Sequence, residues 1–368
     1  MVIRRESMGA TGASAASPAR SRPRLLGARP AQWRHASNAA ASTAEAQEAT
    51  SSAASASWMR ERAAQELTPD RRPQGAGRPS RPPQGRGVSL GGSVYQASAR
   101  LLRAVPARLR HAAATPGGTA WFWLSAAQRR AALDNYATVL GVDSSDPRAA
   151  QVARRAFQNY GRMLMDFLLM GDLSPEDVNA RMSADGLEHL DVALSRGRGL
   201  VLALPHMGSW DMAAAFASVQ GYPISAVAEV FPGSLNDAVV ATRRGMGMDV
   251  IPIGRSAVRA ILAALAANRI VALLCDLEQG PGVKVRFFGR QAIVPSGPAA
   301  FAMKTGAALV PTFVYGIGDG KYHGHVHQPL VWSPADTKEG LTQRVIDCFE
   351  DFIKERPDQW YAFRPMFS

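Results

Sequence analysis

His206 and Asp211 stand five positions apart in the segment PHMGSWD. On a regular helix that spacing separates two side chains by about 140°, so they can meet only if the chain turns sharply between them. Gly208 lies between them and can supply the turn. A carboxylate on one imidazole nitrogen would leave the other nitrogen to accept a proton from a hydroxyl. The spacing therefore predicts a general-base pair of His206 and Asp211.

The elements around this segment are suited to position the pair. The run GLVLALP (199–205) is short and continuously apolar between Gly and Pro, which predicts a buried strand with His206 at its carboxyl end. Open α/β sheets bind ligands at that end. A helix beginning at Ser209 or Trp210 would place Asp211 in its first turn, where the helix dipole favours a carboxylate. A strand-end histidine can also be held by a backbone carbonyl alone, but strand, glycine and aspartate together favour the general base.

Strand and helix patterns alternate through the rest of the chain. Strands are predicted in PISAVAEV, DVIPIG, RIVALLCD, ALVPTFVYGI and KYHGHVHQPLVW, and helices in LNDAVVATRRG, SAVRAILAALAAN and PSGPAAFAMKTG, the last capped by Ser296. A loop is expected to lead into VKVRFFG, and a last helix covers about 338–356. Helical patterns fill about 127–171, where Asp146 and Pro147 mark a helix start. This alternation predicts an α/β fold with a central, mostly parallel sheet flanked by helices and a helical N-terminal part.

The first 90 residues have a different composition. They carry 14 arginines, no lysine and 6 acidic residues among Ala, Ser, Pro and Gly, without aliphatic periodicity. Such a segment cannot bury enough apolar surface to offset chain entropy, so residues 1–90 are expected to be a disordered tail. Its acid-poor start also resembles an organellar transit peptide, which stays the alternative. The remaining residues, 91–368, form the predicted domain.

Residues 91–125 form a basic amphipathic segment, which is interrupted at Pro106 and ends in the aromatic run TAWFWL (119–124). Such a segment can lie in a membrane interface, and an ordinary helix packed on the core fits the pattern equally well. No run reaches about 18 apolar residues, so no transmembrane helix is expected. The net charge of +12 is concentrated in the tail. The mildly basic remainder suits an anionic membrane surface or a phosphorylated cofactor better than a nucleic-acid duplex.

Other sites have weaker signals. Cys275 and Cys348 show no ligand spacing, so neither a disulfide framework nor a zinc module is expected. The chain has no G-x-S-x-G elbow, no P-loop and no G-x-G-x-x-G after a strand. The imidazoles of His323, His325 and His327 alternate along a predicted strand at ligand spacing, but no acidic or cysteine neighbour completes the set. We expect no metal and no cofactor.

Three blocks together resemble one enzyme family. LALPHMGSWDMA resembles the H-x-x-x-x-D motif of glycerolipid and lysophospholipid acyltransferases, in the branch of bacterial lipid A and phosphatidylinositol mannoside acyltransferases. AEVFPGSLNDAVVATRRGMGMDVIPI and CDLEQGPGVKVRFFGRQAIVPSGPAAFAMKTGAALVPTFVY are similar to that family's second and third blocks. RRAALDNYATVLG and ARRAFQNYGRMLMDFLLM look like its helical N-terminal region. The resemblance covers about residue 90 to the end and implies a glycerolipid acyltransferase-like fold.

The resemblance also implies roles for residues. His206 would be the base and Asp211 its partner, with Glu278 as a second carboxylate to the imidazole. Glu229, Asp276 and either Arg243 or Arg244 match family positions that line the same groove.

Acyl transfer from a thioester also needs an oxyanion stabiliser and a group that holds donor phosphates. Backbone N–H groups at the helix start near Ser209 could bind the oxyanion. Arg243, Arg244 and Arg286 are candidates for phosphates or an anionic head group, although a surface arginine is more often simply solvated. Phe287, Phe288 and Phe301 could line an acyl tunnel or be plain core.

The expected activity is transfer of a fatty acyl group from acyl-CoA, or as the second choice from acyl carrier protein, to a hydroxyl of a membrane glycolipid. A phosphatidylinositol mannoside is the first expectation, because HMGSWD with Asp looks like that subgroup. A lipid A precursor is the second, and a catalytically silent lipid-binding protein of the same fold is a third. The expected partners are donor, acceptor and a membrane surface, at the cytoplasmic face of the inner membrane in a peripheral position.

Overall fold

The computed structural model describes residues 90–105, 107–279 and 282–367. Apart from residue 90, the tail expected to be disordered lies outside these residues, and so does Pro106. Four helices come first: α1 (Leu90–Ala104), α2 (Ala107–Leu124), α3 (Ala126–Leu140) and α4 (Pro147–Met170). The start signal of α4 is confirmed, because the Asp146 side chain accepts a hydrogen bond from the backbone N–H of Arg148 and Pro147 opens the helix. The basic amphipathic segment thus contains two helices, of which α1 ends at Ala104 and α2 begins at Ala107.

Strands and helices then alternate as expected. The strands are β1 (Met182–Asp185), β2 (Leu200–Leu204), β3 (Ile224–Ala228), β4 (Asp249–Pro252), β5 (Ile270–Leu274), β6 (Val283–Phe287), β7 (Arg290–Val294), β8 (Ala308–Gly318) and β9 (Lys321–Val326). The helices are α5 (Pro175–Arg181), α6 (Glu188–Leu194), α7 (Trp210–Val219), α8 (Ser234–Gly245), α9 (Ala257–Ala266), α10 (Gly297–Thr305) and α11 (Lys338–Glu355), followed by a 3-10 turn (Pro357–Gln359).

Seven of these strands form one sheet in the order β1-β9-β8-β2-β5-β3-β4. Every neighbouring pair is parallel except the β8–β9 hairpin. The predicted α/β class with a mostly parallel sheet is therefore confirmed. Helix α7 connects β2 to β3 in sequence. In the sheet these two strands are separated by β5, which follows both of them in the chain.

Both faces of the sheet are buried, as in parallel sheets generally. On one face Val201 and Ala203 pack in a core to which α9, α10 and α11 contribute. On the other face Leu200, Leu202 and Leu204 pack with residues of α5, α6 and α7. The continuously apolar run that predicted β2 is explained by this burial on two sides.

The structure also corrects details of the prediction. The segment VKVRF is a strand, β6, which pairs antiparallel with β7 in a hairpin outside the main sheet. Neither β7 nor the short edge strand β1 was predicted. The predicted strand KYHGHVHQPLVW ends at Val326, six residues early. Ser296 stands at the N-cap of α10 but makes no side-chain capping bond.

Candidate active site

His206 lies two residues beyond the end of β2, as the sequence predicts. Its carbonyl accepts a hydrogen bond of 2.8 Å from the backbone N–H of Tyr361, and the next residue, Met207, forms an antiparallel bridge with Trp360. The imidazole is 15% exposed and meets the ring of Trp210 edge-on at 5.5 Å. The C-terminal segment therefore fixes the backbone of His206, and the side chain keeps an opening.

The predicted turn at Gly208 is present. Its φ is +59°, in the left-handed region that favours glycine. A Cβ at this position would stand 2.3 Å from the carbonyl oxygen of Val314 on β8, so no side chain fits there. The turn leads into α7, whose first turn contains Asp211 and whose N-cap is Ser209, with its hydroxyl accepting from the N–H of Met212 at 3.4 Å.

The carboxylate bonded to the imidazole belongs to Asp276. The Nδ1 of His206 lies 2.6 Å from Oδ1 of Asp276, a side chain that is fully buried. The parallel register of the two strands explains the contact. Leu204 on β2 pairs with Leu274 on β5, and His206 and Asp276 each lie two positions beyond that pair. Because a carboxylate only accepts, Nδ1 carries the proton and Nε2 is left to accept one.

The second oxygen of Asp276 is also occupied. The indole Nε1–H of Trp360 donates to Oδ2 over 2.7 Å in a buried contact. The main chain at Trp360 is itself held, because the hydroxyl of Tyr136 donates to its carbonyl. The side chains of Trp360, Asp276 and His206 thus form one connected chain of hydrogen bonds, which fixes the imidazole in orientation and in tautomer.

Asp211 does not meet the imidazole, which corrects the predicted pair. Its two oxygens accept from Nε and Nη2 of Arg243, at 2.7 and 3.2 Å, in a pair whose side chains are 7% and 11% exposed. Among the described residues no hydrogen bond or ion pair joins Asp211 to His206. The guanidinium also lies 5.5 Å from the ring centre of Phe167. In the first turn of α7 the carboxylate faces Arg243, in the last turn of α8.

His206 lines a cavity of about 470 Å³. It lies between α7 and the sheet face that carries Leu202 and Leu204 and is lined mainly by aliphatic side chains. The polar or charged lining includes Asp211, Arg243 and Glu229. Residues of β3, β5, β2, β8 and β9 contribute to its wall, so the cavity runs across the strands. Its lining also includes Met182 and Ala184 on the edge strand β1.

Comparison with known proteins identifies this architecture. The family model of bacterial lipid A biosynthesis acyltransferases matches residues 88–368. A phosphatidylinositol mannoside acyltransferase of Mycolicibacterium smegmatis is 32% identical over 290 residues, which cover 76% of this chain and 93% of the relative. One of the same name from Mycobacterium tuberculosis is 32% identical over 241 residues, 63% of this chain and 75% of the relative. A lipid A biosynthesis acyltransferase of Haemophilus influenzae is 22% identical over 263 residues, 71% of this chain and 82% of the relative.

The chain belongs to the lipid A biosynthesis acyltransferase family. It is therefore an acyltransferase, as the sequence indicates.

The other residues that the resemblance singled out divide into two groups. Glu229 and Arg243 line the cavity of this acyltransferase. Arg244, Glu278 and Arg286 are exposed and are not part of its wall. Glu278 was expected to be a second carboxylate to the imidazole, but the structure gives that contact to Asp276, which we expected among the substrate-binding residues.

Of the two alternatives for Phe287, Phe288 and Phe301, acyl tunnel or plain core, the structure favours core. Phe287 is fully buried and stacks on Phe288, and neither of them nor Phe301 lines the cavity. Trp360 was not singled out from the sequence, although an indole needs a hydrogen-bond acceptor when it is buried. The signal was the composition of the C-terminal segment QWYAFRP, which has three aromatic residues next to the end of an amphipathic helix.

Each of the three alternating histidines has a polar partner, and Asp185 lies near two of them, since its carboxylate is also 3.6 Å from Nε2 of His323. His325 Nδ1 lies 2.7 Å from Asp185, and His323 Nδ1 lies 2.9 Å from the hydroxyl of Ser183. His327 Nδ1 lies 2.8 Å from the carbonyl of Gln328. Across the part of the chain that the structure describes, no group of three or more His, Cys, Asp or Glu is arranged to hold a metal ion.

Proposed function

We propose that this acyltransferase moves a fatty acyl chain from acyl-CoA, or from acyl carrier protein, to a hydroxyl of a mannosylated phosphatidylinositol. The observation that carries the proposal is the imidazole of His206, oriented by a buried carboxylate, at an apolar cavity. The acceptor is suggested by the names of the two mycobacterial relatives at 32% identity. The donor is proposed on chemical grounds. A thioester carries an activated acyl group, and the fatty chain of that group suits an apolar cavity.

The reaction begins with Nε2 of His206, which takes the proton of the acceptor hydroxyl as its oxygen attacks the thioester carbonyl. The tetrahedral intermediate carries a negative oxygen. When the carbonyl re-forms, the C–S bond breaks and the departing thiolate takes the proton from the imidazolium. Asp276 stabilises the imidazolium between the two steps, since a carboxylate on Nδ1 favours the charged ring.

The oxyanion is proposed to lie at the start of α7. The first N–H groups of a helix have no carbonyl partner within the helix and point toward a negative ligand. A carboxylate in the same turn would repel an oxyanion. The ion pair of Asp211 with Arg243 offsets that charge, and the partly exposed guanidinium adds a positive group to the cavity wall.

The acyl chain is proposed to occupy the cavity beneath α7. Its wall crosses the sheet from β3 to β1, five interstrand spacings, which amounts to roughly 24 Å. Small side chains on α7 and on the strands leave the space open, including Ala213, Ala217, Ala226 and Ala272. A long, narrow apolar channel suits a linear chain better than a branched or a ring-containing one.

The membrane position is proposed from exposed apolar side chains near the cavity. Trp121 lines the cavity, and two residues further along α2 Trp123 is exposed together with Leu124. Phe231 and Ile253 line the cavity and are exposed as well. Among the described helices none is long and apolar enough to cross a bilayer. We propose peripheral binding at the cytoplasmic face of the inner membrane, with these side chains in the interface.

A lipid A precursor is the second candidate acceptor. It is favoured by the family model and by the Haemophilus influenzae relative. A catalytically silent protein that binds lipid through the same cavity is the third candidate. These three are separated by one assay.

The test uses purified full-length protein, palmitoyl-CoA and vesicles that contain either a phosphatidylinositol mannoside or a lipid A precursor, with products read by mass spectrometry. We expect one added acyl chain on the mannoside and none with His206→Ala, which should still bind the vesicles. If only the lipid A precursor is acylated, the acceptor is a lipid A precursor and not a phosphatidylinositol mannoside. Equal lipid composition with wild type and variant would identify a scaffold.

The position of the acyl chain has its own test. Ala184→Phe fills the wall on β1, at the sheet edge remote from β3. We expect the variant to prefer donors several carbons shorter than those the wild type uses, at a similar kcat for the short donor. Val192→Phe, at an exposed position on α6, is the matched control and should keep the original preference. An unchanged preference in Ala184→Phe would place the acyl chain elsewhere.

A further inference from the structure

A second cavity, of about 960 Å³, lies on the other side of Tyr361, and it is basic. Tyr361 lines both this cavity and the one that contains His206. Four positive side chains face the second cavity from α2, α4, α5 and β9: Arg110, Arg162, Arg181 and Lys321. Its two acidic lining residues are Asp166 and Asp319, so the wall carries an excess of positive charge.

Arg162 is held without a carboxylate. Its Nη1 donates to Oδ1 of Asn159 over 2.7 Å, and its Nη2 donates to Oγ1 of Thr115 over 2.6 Å. Asn159 is fixed in turn, because its amide donates to the carbonyl of Asp358 over 2.8 Å. Neutral partners orient the guanidinium but leave its charge uncompensated, which is the arrangement expected of an anion site.

Arg110 is held in a similar way. Its Nη1 donates to the carbonyls of Leu102 and Val105, at the end of α1, over 2.9 and 3.0 Å. Within the described chain neither Arg110 nor Arg162 makes an ion pair. Two guanidinium groups from different helices are thus fixed on one cavity before any ligand binds.

The acidic side chains do not cancel this charge. Asp166 is buried, accepts from the hydroxyl of Tyr322 over 2.6 Å and lies 4.0 Å from Nη1 of Arg181, so it compensates one guanidinium. Asp319 is exposed at the turn of the β8–β9 hairpin. Burial raises the pKa of the Tyr361 phenol, so this hydroxyl stays neutral between the two cavities.

The geometry points to a phosphate-binding subsite in this cavity, centred on Arg110 and Arg162, for a phosphate group of one of the two substrates. The assignment to a substrate rests on the proposed function. The charge, the preformed donors and the shared wall with the His206 cavity all fit a phosphorylated ligand whose reacting end lies at the imidazole. Both proposed substrates carry phosphate: the donor as nucleotide and pyrophosphate, the acceptor as the inositol phosphodiester.

Titration calorimetry with two soluble probes distinguishes these sources. Adenosine 3′,5′-bisphosphate represents the phosphorylated nucleoside of the donor, and glycerophosphoinositol represents the head group of the acceptor. We expect wild-type protein to bind one of them, and Arg162→Gln to weaken that binding about tenfold, the size expected for a lost charged hydrogen bond. Loss for the nucleotide assigns the cavity to the donor, and loss for glycerophosphoinositol assigns it to the acceptor.

Matched variants keep the test decisive. Arg154→Gln removes an exposed arginine from the same helix, away from the cavity, and should leave binding unchanged. Arg162→Lys retains the charge and should restore part of the affinity, and melting temperatures identify any variant that fails to fold. Probe binding that is absent in wild type, or equal in wild type and Arg110→Gln/Arg162→Gln, overturns the subsite.

The binding readout does not depend on turnover. Acylation of neither acceptor, together with loss of nucleotide binding in Arg162→Gln, would refute the proposed acceptor and keep the subsite. Acylation of the mannoside, together with unchanged probe binding, would do the reverse.

Discussion

Two aspartates reach the wall of the same site from different elements, and they have different partners. Asp276 follows β5 and bonds to the imidazole of His206 over 2.6 Å. Asp211, in the first turn of α7, has its two oxygens on Arg243 at 2.7 and 3.2 Å. The aspartate near in sequence therefore neutralises an arginine, and the aspartate 70 residues away orients the base.

At the edge of a parallel sheet, residues that follow adjacent strands are closer neighbours than residues that are close in sequence. Residues that end adjacent strands are level with one another, so their side chains meet at the edge of the sheet. A residue in the following helix is carried away from that edge by the turn that starts the helix. We propose that Asp276 positions the imidazole of His206 and that Asp211 balances the charge of Arg243, and four substitutions test this difference.

Asp276→Asn should have the largest effect, a fall in kcat of about 10³-fold with KM little changed. Asp276 accepts from both the imidazole and the indole of Trp360, whereas the amide of asparagine has a single oxygen for these two donors. The imidazole then loses its orientation or its tautomer. Steady-state kinetics with urea unfolding as a control measure the change, and a kcat within tenfold of wild type would remove Asp276 from the mechanism.

Asp211→Asn should lower the free energy of unfolding and change kcat only slightly. It leaves the guanidinium of Arg243, 11% exposed, without its charged partner, which costs about 3 kcal/mol of unfolding free energy. Urea denaturation checks this loss. The double variant Asp211→Asn/Arg243→Met should recover part of the stability, because no buried charge is left unpaired.

The kinetics of the same variant decide between the two aspartates. We expect folded Asp211→Asn to keep kcat within about tenfold of wild type, since no hydrogen bond joins it to the imidazole. A loss as large as that of Asp276→Asn, at unchanged stability, would exchange the roles assigned here.

The local parts of this site could be predicted from the sequence and the nonlocal parts could not. The apolar run of β2, the turn at Gly208 and the start of α7 lie within about a dozen residues, where periodicity and backbone preference decide the structure. The partner of His206 depends on strand order, which places β5 beside β2. That order is set by the packing of the whole sheet, and no spacing within PHMGSWD contains it.

The contact of Trp360 with Asp276 is nonlocal in the same way. Trp360 lies 84 residues beyond Asp276, and the aromatic composition of QWYAFRP does not show which acceptor the indole bonds to. The fold class was accessible because the alternation of helices and strands is a local signal repeated many times.

Trp360→Phe should lower kcat about tenfold and leave both KM values unchanged. The ring is kept, but the N–H that holds Oδ2 of Asp276 at 2.7 Å is removed, and a hydrogen bond to a charged group contributes about 1.5–3 kcal/mol. Steady-state kinetics at saturating substrate measure the effect.

Tyr136→Phe is the matched control, because it removes the hydrogen bond to the Trp360 carbonyl and leaves the hydrogen bond from the Trp360 indole to Asp276. It should cost about 1 kcal/mol of stability at constant kcat. Equal kcat losses in both variants would show that general loosening, and not the indole N–H, is responsible.

Glu278→Gln should have the smallest effect, a change in kcat of less than about twofold, although the resemblance placed a carboxylate for the imidazole here. The side chain is exposed, and among the described residues it makes no hydrogen bond or ion pair. Exposed substitutions away from packed contacts change stability by about 0.5 kcal/mol or less, so unfolding should be unaffected as well. Parallel assays of Glu278→Gln and Asp276→Asn compare the two acidic residues of one loop directly. A hundredfold loss of kcat in Glu278→Gln would mean that this carboxylate reaches the imidazole when substrate binds. The register of β2 and β5 would then not determine which carboxylate is the partner of His206.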